Sequence, residues 1–283
     1  MRVIETIAEF REARAEYGRL GFVPTMGALH AGHLSLVALA REQCEAVAVS
    51  IFVNPTQFGP NEDFQRYPRT LAADLALLEQ AGVDLVFTPS VDELYPAGFA
   101  TSIDVGPVTE RLEGAIRPGH FAGVATVVCK LLNISGADAA FFGQKDVQQT
   151  LVIRKLVRDL NMRCRIVIGP TMREADGLAL SSRNIYLDAE QRRQAPALYR
   201  ALEQARACHD AGDRDAVALR RTIIEGIERD SAGVIDYVSI ADPVTLAELD
   251  RIGPEGAIVS LAVRFGSTRL LDNILLGPIA SAS

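Results

Sequence analysis

The sequence lacks several features that would place it in common classes of protein. Its four cysteines lie far apart, with no CxxC pair and no histidine at metal-ligand spacing: Cys44, Cys129, Cys164 and Cys208. We interpret them as core thiols of a reducing compartment. No apolar run approaches the roughly 18 residues that a membrane helix needs. The N-terminal segment, residues 1–18, is predicted as an amphipathic helix rather than a signal peptide, so we expect a soluble, cytoplasmic protein.

Basic charge is also scarce. Lys and Arg number 29 against 36 Asp and Glu, a formal net charge of −7, which argues against a protein that binds nucleic acid through a broad basic surface. Neither GxxxxGKS/T nor GxGxxG is present, so the usual P-loop and dinucleotide-binding motifs are missing. Hydrophobic residues make up 48% of the 283 residues. That share and length suit a globular chain with a substantial core and two domains.

The first 170 residues alternate β-rich apolar runs with helical patterns, which predicts an α/β fold with a doubly wound parallel sheet. Predicted strands cover residues 19–23, 46–53, 84–88, 139–142 and 165–168, and predicted helices cover residues 34–44, 71–81, 121–134 and 147–160. Beyond them, residues 171–283 are predicted as a smaller α+β domain, with residues 171–184 as the junction loop. Its predicted helices are residues 189–211 and 213–229, followed by strands at residues 235–240, 257–263 and 270–274.

The segment that follows the first of these strands carries two histidines, His30 and His33, in the pattern HxGH. A strand-to-helix crossing in a parallel sheet is a usual ligand site, and a helix N-terminus suits phosphate oxygens. The two imidazoles lie one turn apart and can face the same phosphate, where a cationic or a neutral N–H donor would stabilise developing charge. Two alternatives remain open here. The histidines could merely cap a helix, or they could bind zinc.

Four further polar segments stand at the ends of predicted strands or helices. Amide side chains such as Gln57 and Gln149 suit a polar organic substrate, and Lys145 could neutralise phosphate charge. The junction loop offers hydroxyls and a guanidinium that could clamp phosphates. A fourth segment, Arg117–Val124, contains a third histidine.

Together these segments resemble the pantothenate synthetase (pantoate–β-alanine ligase) family over nearly the whole chain. The motifs that carry the resemblance are PTMGALHAGH, FVNPTQF with the downstream YPRT, RPGHFAGV, FFGQKDVQQ and GLALSSRN. The resemblance implies a Rossmann-like domain with a smaller C-terminal lid domain, assembled as a homodimer. It implies that ATP and (R)-pantoate form pantoyl adenylate with Mg²⁺, and that β-alanine then releases pantothenate and AMP.

The resemblance also implies roles for particular residues. Catalysis would fall to His33, His30 and Lys145, and pantoate and β-alanine would bind at Gln57 and Gln149. The ATP-binding residues would be Met26, Gly27, Ala28, Leu29, His30, Ala31, Gly32, His33, Gly143, Gln144, Lys145, Asp146, Met172, Leu180, Ser181, Ser182 and Arg183.

Two positions depart from the family pattern. Gln144 stands where the family usually has Glu. The acidic cluster that some members use for magnesium is reduced to Asp74, so the ion is expected to be held mainly by triphosphate and water. Two rivals remain: an adenylyltransferase acting on a phosphorylated metabolite, and a nucleotide-binding regulator without catalysis. The first should carry extra basic residues where this chain has Gln57 and Gln149, and the second should have lost a histidine or the Ser-Ser-Arg loop.

Overall fold

The structure, a computed structural model, describes residues 1–60 and 62–278. The chain divides into two compact units. The first consists of Met1–Gln144 and Gln148–Pro170, and the second consists of Lys145–Val147 and the chain from Thr171 onward. Each unit has its own buried apolar cluster.

A parallel six-stranded sheet organises the first unit, as far as the described residues extend. Its strands are β1 (Arg2–Ile4), β2 (Leu20–Thr25), β3 (Ala46–Ile51), β4 (Leu85–Phe87), β5 (Ala139–Gly143) and β6 (Arg165–Gly169), in the order β1-β4-β3-β2-β5-β6. Strand β3 reads AVAVSI and is buried on both faces, which explains its continuous apolar sequence. The strand order reverses between β2 and β5, the position where such sheets bind ligands. The predicted doubly wound α/β class is confirmed.

The helices of this part of the chain are α1 (Ile7–Arg14), α2 (Ala31–Gln43), α3 (Leu71–Gln80), α4 (Val91–Leu94), α5 (Glu113–Ile116), α6 (His120–Ser135) and α7 (Val147–Asp159). Helix α2 packs on the sheet through Leu36, Val37 and Ala40, which join strand residues such as Val49 and Phe141 in one buried cluster. Helix α6 is buried along most of its length, as its apolar sequence predicts.

Two predictions for the N-terminal part were wrong. Residues 1–18 do not form one amphipathic helix, because Arg2–Ile4 pairs with β4 at the edge of the sheet and Thr6 then caps α1. Helix α2 begins at Ala31 rather than at Leu34, so His33 lies in its first turn. A three-residue edge strand is too short to show a period, and a histidine cap is not among the usual signals of a helix start.

In the second unit, helices α8 (Ala189–Gln194), α9 (Ala197–Asp210) and α10 (Ala216–Asp230) precede an antiparallel sheet. Its strands are β7 (Val234–Ala241), β8 (Ala257–Phe265) and β9 (Thr268–Leu276), in the order β7-β8-β9. The helix predicted over residues 189–211 was wrong. It is interrupted at Pro196, which has no N–H to continue the helical ladder. The predicted α+β character of this unit is confirmed.

Candidate active site

The side chains of both HxGH histidines accept hydrogen bonds from backbone N–H groups of their own loop. His30 is the N-cap of α2, and its Nδ1 accepts a hydrogen bond from the Gly32 N–H at 3.1 Å. The N–H of His30 donates in turn to Nδ1 of His33 at 3.3 Å, and the two rings lie 4.2 Å apart. A ring nitrogen that accepts a hydrogen bond carries no proton, so each neutral imidazole carries its hydrogen on Nε2. The histidines therefore do cap the helix, and this cap sets both as Nε2–H donors.

Asp74, in the first turn of α3, holds the backbone just before these histidines. Its carboxylate accepts hydrogen bonds from Ala28 N–H at 2.9 Å and Leu29 N–H at 2.8 Å, and the Thr70 hydroxyl lies 3.2 Å from both oxygens. Gly27 has φ +82°, and a Cβ there would lie 3.0 Å from Asp74 Oδ2. These contacts, with the side chain 2% exposed, favour a positioning role over the metal-ligand role that the sequence suggested.

Gln57 lies after β3 with its side chain fixed by a second amide. The Asn54 Nδ2 donates to Gln57 Oε1 at 3.0 Å and to the Gly123 carbonyl at 3.2 Å. Asn54 Oδ1 accepts from the Tyr95 hydroxyl at 2.8 Å, which determines which way its amide points. Gln57 Nε2 therefore faces away from Asn54 and donates one hydrogen to Met26 Sδ at 3.1 Å, which leaves the second N–H of the amide as a donor for a ligand. The sequence motif contained Asn54, but nothing local indicated that it orients Gln57.

The Arg117–His120 segment supports the backbone of Gln57. The Arg117 guanidinium donates to both carboxylate oxygens of Glu62 at 2.6 Å, and its Nη1 lies 3.1 Å from His120 Nε2. His120 Nδ1 donates to the Gln57 carbonyl at 2.8 Å. Burial and then the neighbouring Arg117 charge lower the pKa of His120 to about 4. This third histidine is therefore neutral near pH 7, and it is a structural donor to Gln57.

The two adjacent glutamines of FFGQKDVQQ have different environments. Gln148 is buried, accepts from Glu113 N–H at 3.1 Å and donates to the carbonyls of Val108 and Arg111. Gln149 is half-buried, and its amide makes no hydrogen bond to the residues that the structure describes. The role of Gln149 in binding substrate, which the resemblance implies, stays a prediction.

The GQKD segment follows β5. A Cβ on Gly143 would meet nothing within 4 Å, so this strand end borders open space. Gln144 is half-buried and begins a 3-10 helix, Gln144–Asp146. Lys145 Nζ lies 3.5 Å from Asp146 Oδ1, and the Lys145 carbonyl accepts from Asn273 Nδ2 at 2.8 Å. The lysine's backbone thus belongs to the second unit and is tied to β9.

The junction loop is an ordered hairpin in the second unit. Leu180 N–H donates to the Met172 carbonyl at 2.9 Å, and Ser181 Oγ accepts from Arg183 N–H at 3.2 Å. Ser182 opens a 3-10 helix, Ser182–Tyr186. Three hydroxyl or guanidinium side chains thus follow one another on a short, capped turn.

Arg173 anchors this hairpin. Its guanidinium donates to both oxygens of Asp272 at 2.6 and 2.8 Å, and to the Gly177 carbonyl at 3.1 Å. It also stacks on the Tyr199 ring, 3.7 Å from the centroid. Gly177 has φ +94°, and a Cβ there would lie 2.6 Å from the same ring. The sequence places Arg173 in the loop but gives no sign of its partner on β9.

The described residues contain no group of three or more His, Cys, Asp or Glu side chains that could hold a metal ion. Nor does any helix in the described part of the chain have the length and apolarity to cross a membrane.

The fold and the histidine-capped helix at the carboxyl edge of its sheet define a Rossmann-like α/β protein of the HxGH class. The family model described as Pantoate-beta-alanine ligase matches residues 2–275. A pantothenate synthetase of Chloroflexus aurantiacus is 62% identical over 276 residues, covering 98% of both chains, and one of Herpetosiphon aurantiacus is 58% identical over 98% of this chain and 100% of the relative. The chain belongs to the pantoate-beta-alanine ligase family and is a ligase of pantothenate biosynthesis.

Solved structures support this assignment. The crystal structure of pantothenate synthetase from Thermus thermophilus matches with a TM-score of 0.94 and 49% identity, over 98% of this chain and 100% of that one. A pantoate-beta-alanine ligase from Francisella tularensis, complexed with beta-gamma ATP and beta-alanine, matches with a TM-score of 0.80 and 36% identity, over 97% of each chain.

Proposed function

We propose that this ligase activates (R)-pantoate with ATP to pantoyl adenylate and then transfers the pantoyl group to β-alanine. In the first step a pantoate carboxylate oxygen attacks the α-phosphorus, and the bond to pyrophosphate breaks. In the second step the β-alanine nitrogen attacks the acyl carbon, the acyl–oxygen bond breaks, AMP leaves, and the amine loses a proton. The Francisella relative's complex with an ATP compound and β-alanine supports this choice of substrates.

The reciprocal histidine cap is the observation that carries the proposal. Adenylation needs no protein nucleophile, because the substrate carboxylate attacks; it needs donors fixed where charge develops. His30 and His33 both have Nδ1 engaged by backbone N–H groups, which supports a role for two preset Nε2–H donors at a helix N-terminus. We assign His33 and His30 to stabilising the phosphate charge, beside ATP-binding backbone at Met26–His33.

Pantoate and β-alanine are assigned to the amides. Gln57, whose oxygen is held by Asn54, offers Nε2 to a carboxylate or hydroxyl oxygen, and Gln149 offers an amide with no internal partner among the described residues. A phosphorylated second substrate would leave these neutral groups facing charge that they match poorly. The amides therefore favour the ligase over the rival adenylyltransferase.

Contacts to ATP are assigned within each unit separately. In the first unit, the end of β5 offers Gly143 and Gln144. In the second unit, Lys145 and Asp146 would bind phosphates and ribose, Met172 would bind adenine, and Leu180–Arg183 would bind the triphosphate. The donor set of the described residues does not fit a resident Mg²⁺ site, since Asp74 is fully engaged by its loop. We take Mg²⁺ to arrive as part of the ATP complex. Family resemblance is also our basis for proposing a cytoplasmic homodimer.

Pyrophosphate exchange tests the proposal. Labelled pyrophosphate should enter ATP when pantoate and Mg²⁺ are present without β-alanine, and AMP should accumulate only when both substrates are supplied. Folded protein that supports neither reaction would overturn the function. Exchange without pantoate would point to a different acceptor.

A His33→Asn variant separates catalysis from structure in the same assay. The Asn side chain can place an acceptor near the position of Nδ1, and so keep the bond from His30 N–H, but it has no group at Nε2. We expect exchange to slow by about 10²–10³-fold, the usual loss for one transition-state donor, with an unchanged unfolding midpoint. Normal exchange in this variant would remove His33 from the chemistry.

A further inference from the structure

Strand β9 of the second unit carries two adjacent buried polar residues, Asp272 and Asn273, which are 4% and 1% exposed. Neighbouring residues of a strand point to opposite faces of the sheet. Asp272 shares its face with the buried residues Leu270 and Ile274, which pack with the helices of the unit. Asn273 therefore lies on the other face. Two polar side chains inside a sheet are costly unless each has a partner.

Each of the two residues has a partner in a different segment. Asn273 Nδ2 donates to the Lys145 carbonyl at 2.8 Å, across 128 positions of sequence. Asp272 accepts both arms of the Arg173 guanidinium, and Arg173 also lies 3.4 Å from the Asn273 carbonyl. A bidentate pair of this kind fixes orientation as well as distance. One dipeptide thus fastens Lys145 on one side of the sheet and the junction loop on the other, all within the second unit.

We infer that Asn273 is a positioning residue that sets the position of the Lys145 side chain. The same strand, β9, also anchors the loop that carries Ser181–Arg183, through the pair of Asp272 with Arg173. The inference rests on the proposed function, in which both segments bind the triphosphate of ATP. A carbonyl held at 2.8 Å fixes the backbone from which the lysine reaches its phosphate, and misplacement of a charged donor weakens binding and rate. Because Asn273 Nδ2 contacts the backbone of Lys145, its role is one of positioning.

Because Asn273 acts on Lys145, a substitution of Asn273 should change the kinetics of one substrate, ATP. Loss of its amide should leave Gln57 and Gln149 undisturbed, because they belong to the first unit and contact no residue of β9 in the described hydrogen-bond network. The defect should therefore appear in the kinetics of ATP and not in those of β-alanine. A general loosening of the fold would affect both substrates.

The test uses the full-length enzyme with Asn273→Ala, and with Asn273→Leu as a second variant that keeps volume in case the smaller side chain fails to fold. Ser260→Ala is the matched control. Ser260 lies directly opposite Asn273 in the strand register, is also buried, and has a hydroxyl without a partner among the described residues. We expect kcat/KM for ATP to fall about tenfold in the Asn273 variants, as for one lost hydrogen bond, with KM for β-alanine and all constants of Ser260→Ala unchanged.

A double variant with Lys145→Ala shows whether Asn273 acts through the lysine. If it does, Asn273→Ala added to Lys145→Ala should change kcat/KM for ATP little further. Additive losses, or equal losses for ATP and β-alanine, would overturn the inference while leaving the proposed function in place. Full activity of Lys145→Ala would instead overturn the assignment of Lys145 to ATP, and the inference with it.

Discussion

At the scale of single residues, three histidines differ in which ring nitrogen carries the hydrogen. His30 and His33 accept at Nδ1 and carry hydrogen at Nε2, whereas His120 donates from Nδ1 to the Gln57 carbonyl. The sequence places all three within two residues of a glycine and near helix starts, so it cannot separate them. The difference is set by backbone groups that only the folded chain brings into range.

His120 predicts a pH dependence of stability. Its pKa in the folded protein is about 4, against about 6.5 unfolded, so between these values the unfolded chain binds more protons. Stability should thus fall as pH falls from about 6.5 towards 4, by roughly 3 kcal/mol in total. The charged groups around it are Arg117, Glu62 and Glu113. Urea unfolding at about pH 7.5 and about pH 5 measures the change.

The control for this prediction is His120→Asn, whose amide can keep the donor to the Gln57 carbonyl but does not titrate. The variant should lose less stability than the parent between the two pH values. Burial alone would raise the pKa of Glu62, but Arg117 lowers it overall, so the loss of stability from Glu62 comes mainly below its ordinary value of 4.5 and outside this pH window in both proteins. Parallel losses in parent and variant would show that His120 does not titrate as described.

At the scale of elements, the close contact between α6 and the segment after β3 requires a glycine at position 123, which has no side chain. A Cβ on Gly123 would lie 2.3 Å from the Thr56 carbonyl oxygen and 2.8 Å from the Gln57 Cα. These are backbone atoms, which cannot turn aside as a flexible side chain can. Helix α6 therefore sets the depth at which Gln57 lies, and it also supplies the Gly123 carbonyl to Asn54.

Gly123→Ala should weaken pantoate binding more than ATP binding, because the added methyl group displaces the Gln57 backbone. We expect KM for pantoate to rise about tenfold or more, and stability to fall by about 1–3 kcal/mol from overpacking. Initial rates with each substrate varied in turn would measure the effect. Gly253→Ala is the control, since its Cβ would meet nothing within 4 Å. An unchanged KM for pantoate in Gly123→Ala would contradict this account.

At the scale of the whole molecule, the sequence predicts the elements that have a local pattern. It misses the contacts between residues that lie far apart along the chain. Continuous apolar strands such as β3, and polar motifs at strand ends, were enough to predict the parallel sheet and the position of His30 and His33 where a strand passes into a helix. The short β1 and the break at Pro196 were missed because neither has a period of its own. Asp74, Asn54 and Asn273 were missed as positioning residues because their partners lie far along the chain, where no local pattern records the pairing.

The two compact units each bury a separate apolar cluster, and this separation leads to the last prediction. Leu78 lies in the cluster of the first unit and Ile223 in that of the second, both 0% exposed. Truncating either to alanine leaves a cavity and costs about 2–5 kcal/mol. Because the clusters share no residue, Ile223→Ala should speed amide hydrogen exchange in β8 and α10 more than in β2 and β3, and Leu78→Ala should do the reverse.

In exchange measured by mass spectrometry, each variant serves as the control for the other. If both variants loosened all four elements equally, the chain would unfold as one cooperative body, and Asn273 could not be expected to affect ATP without affecting the amide site of the first unit.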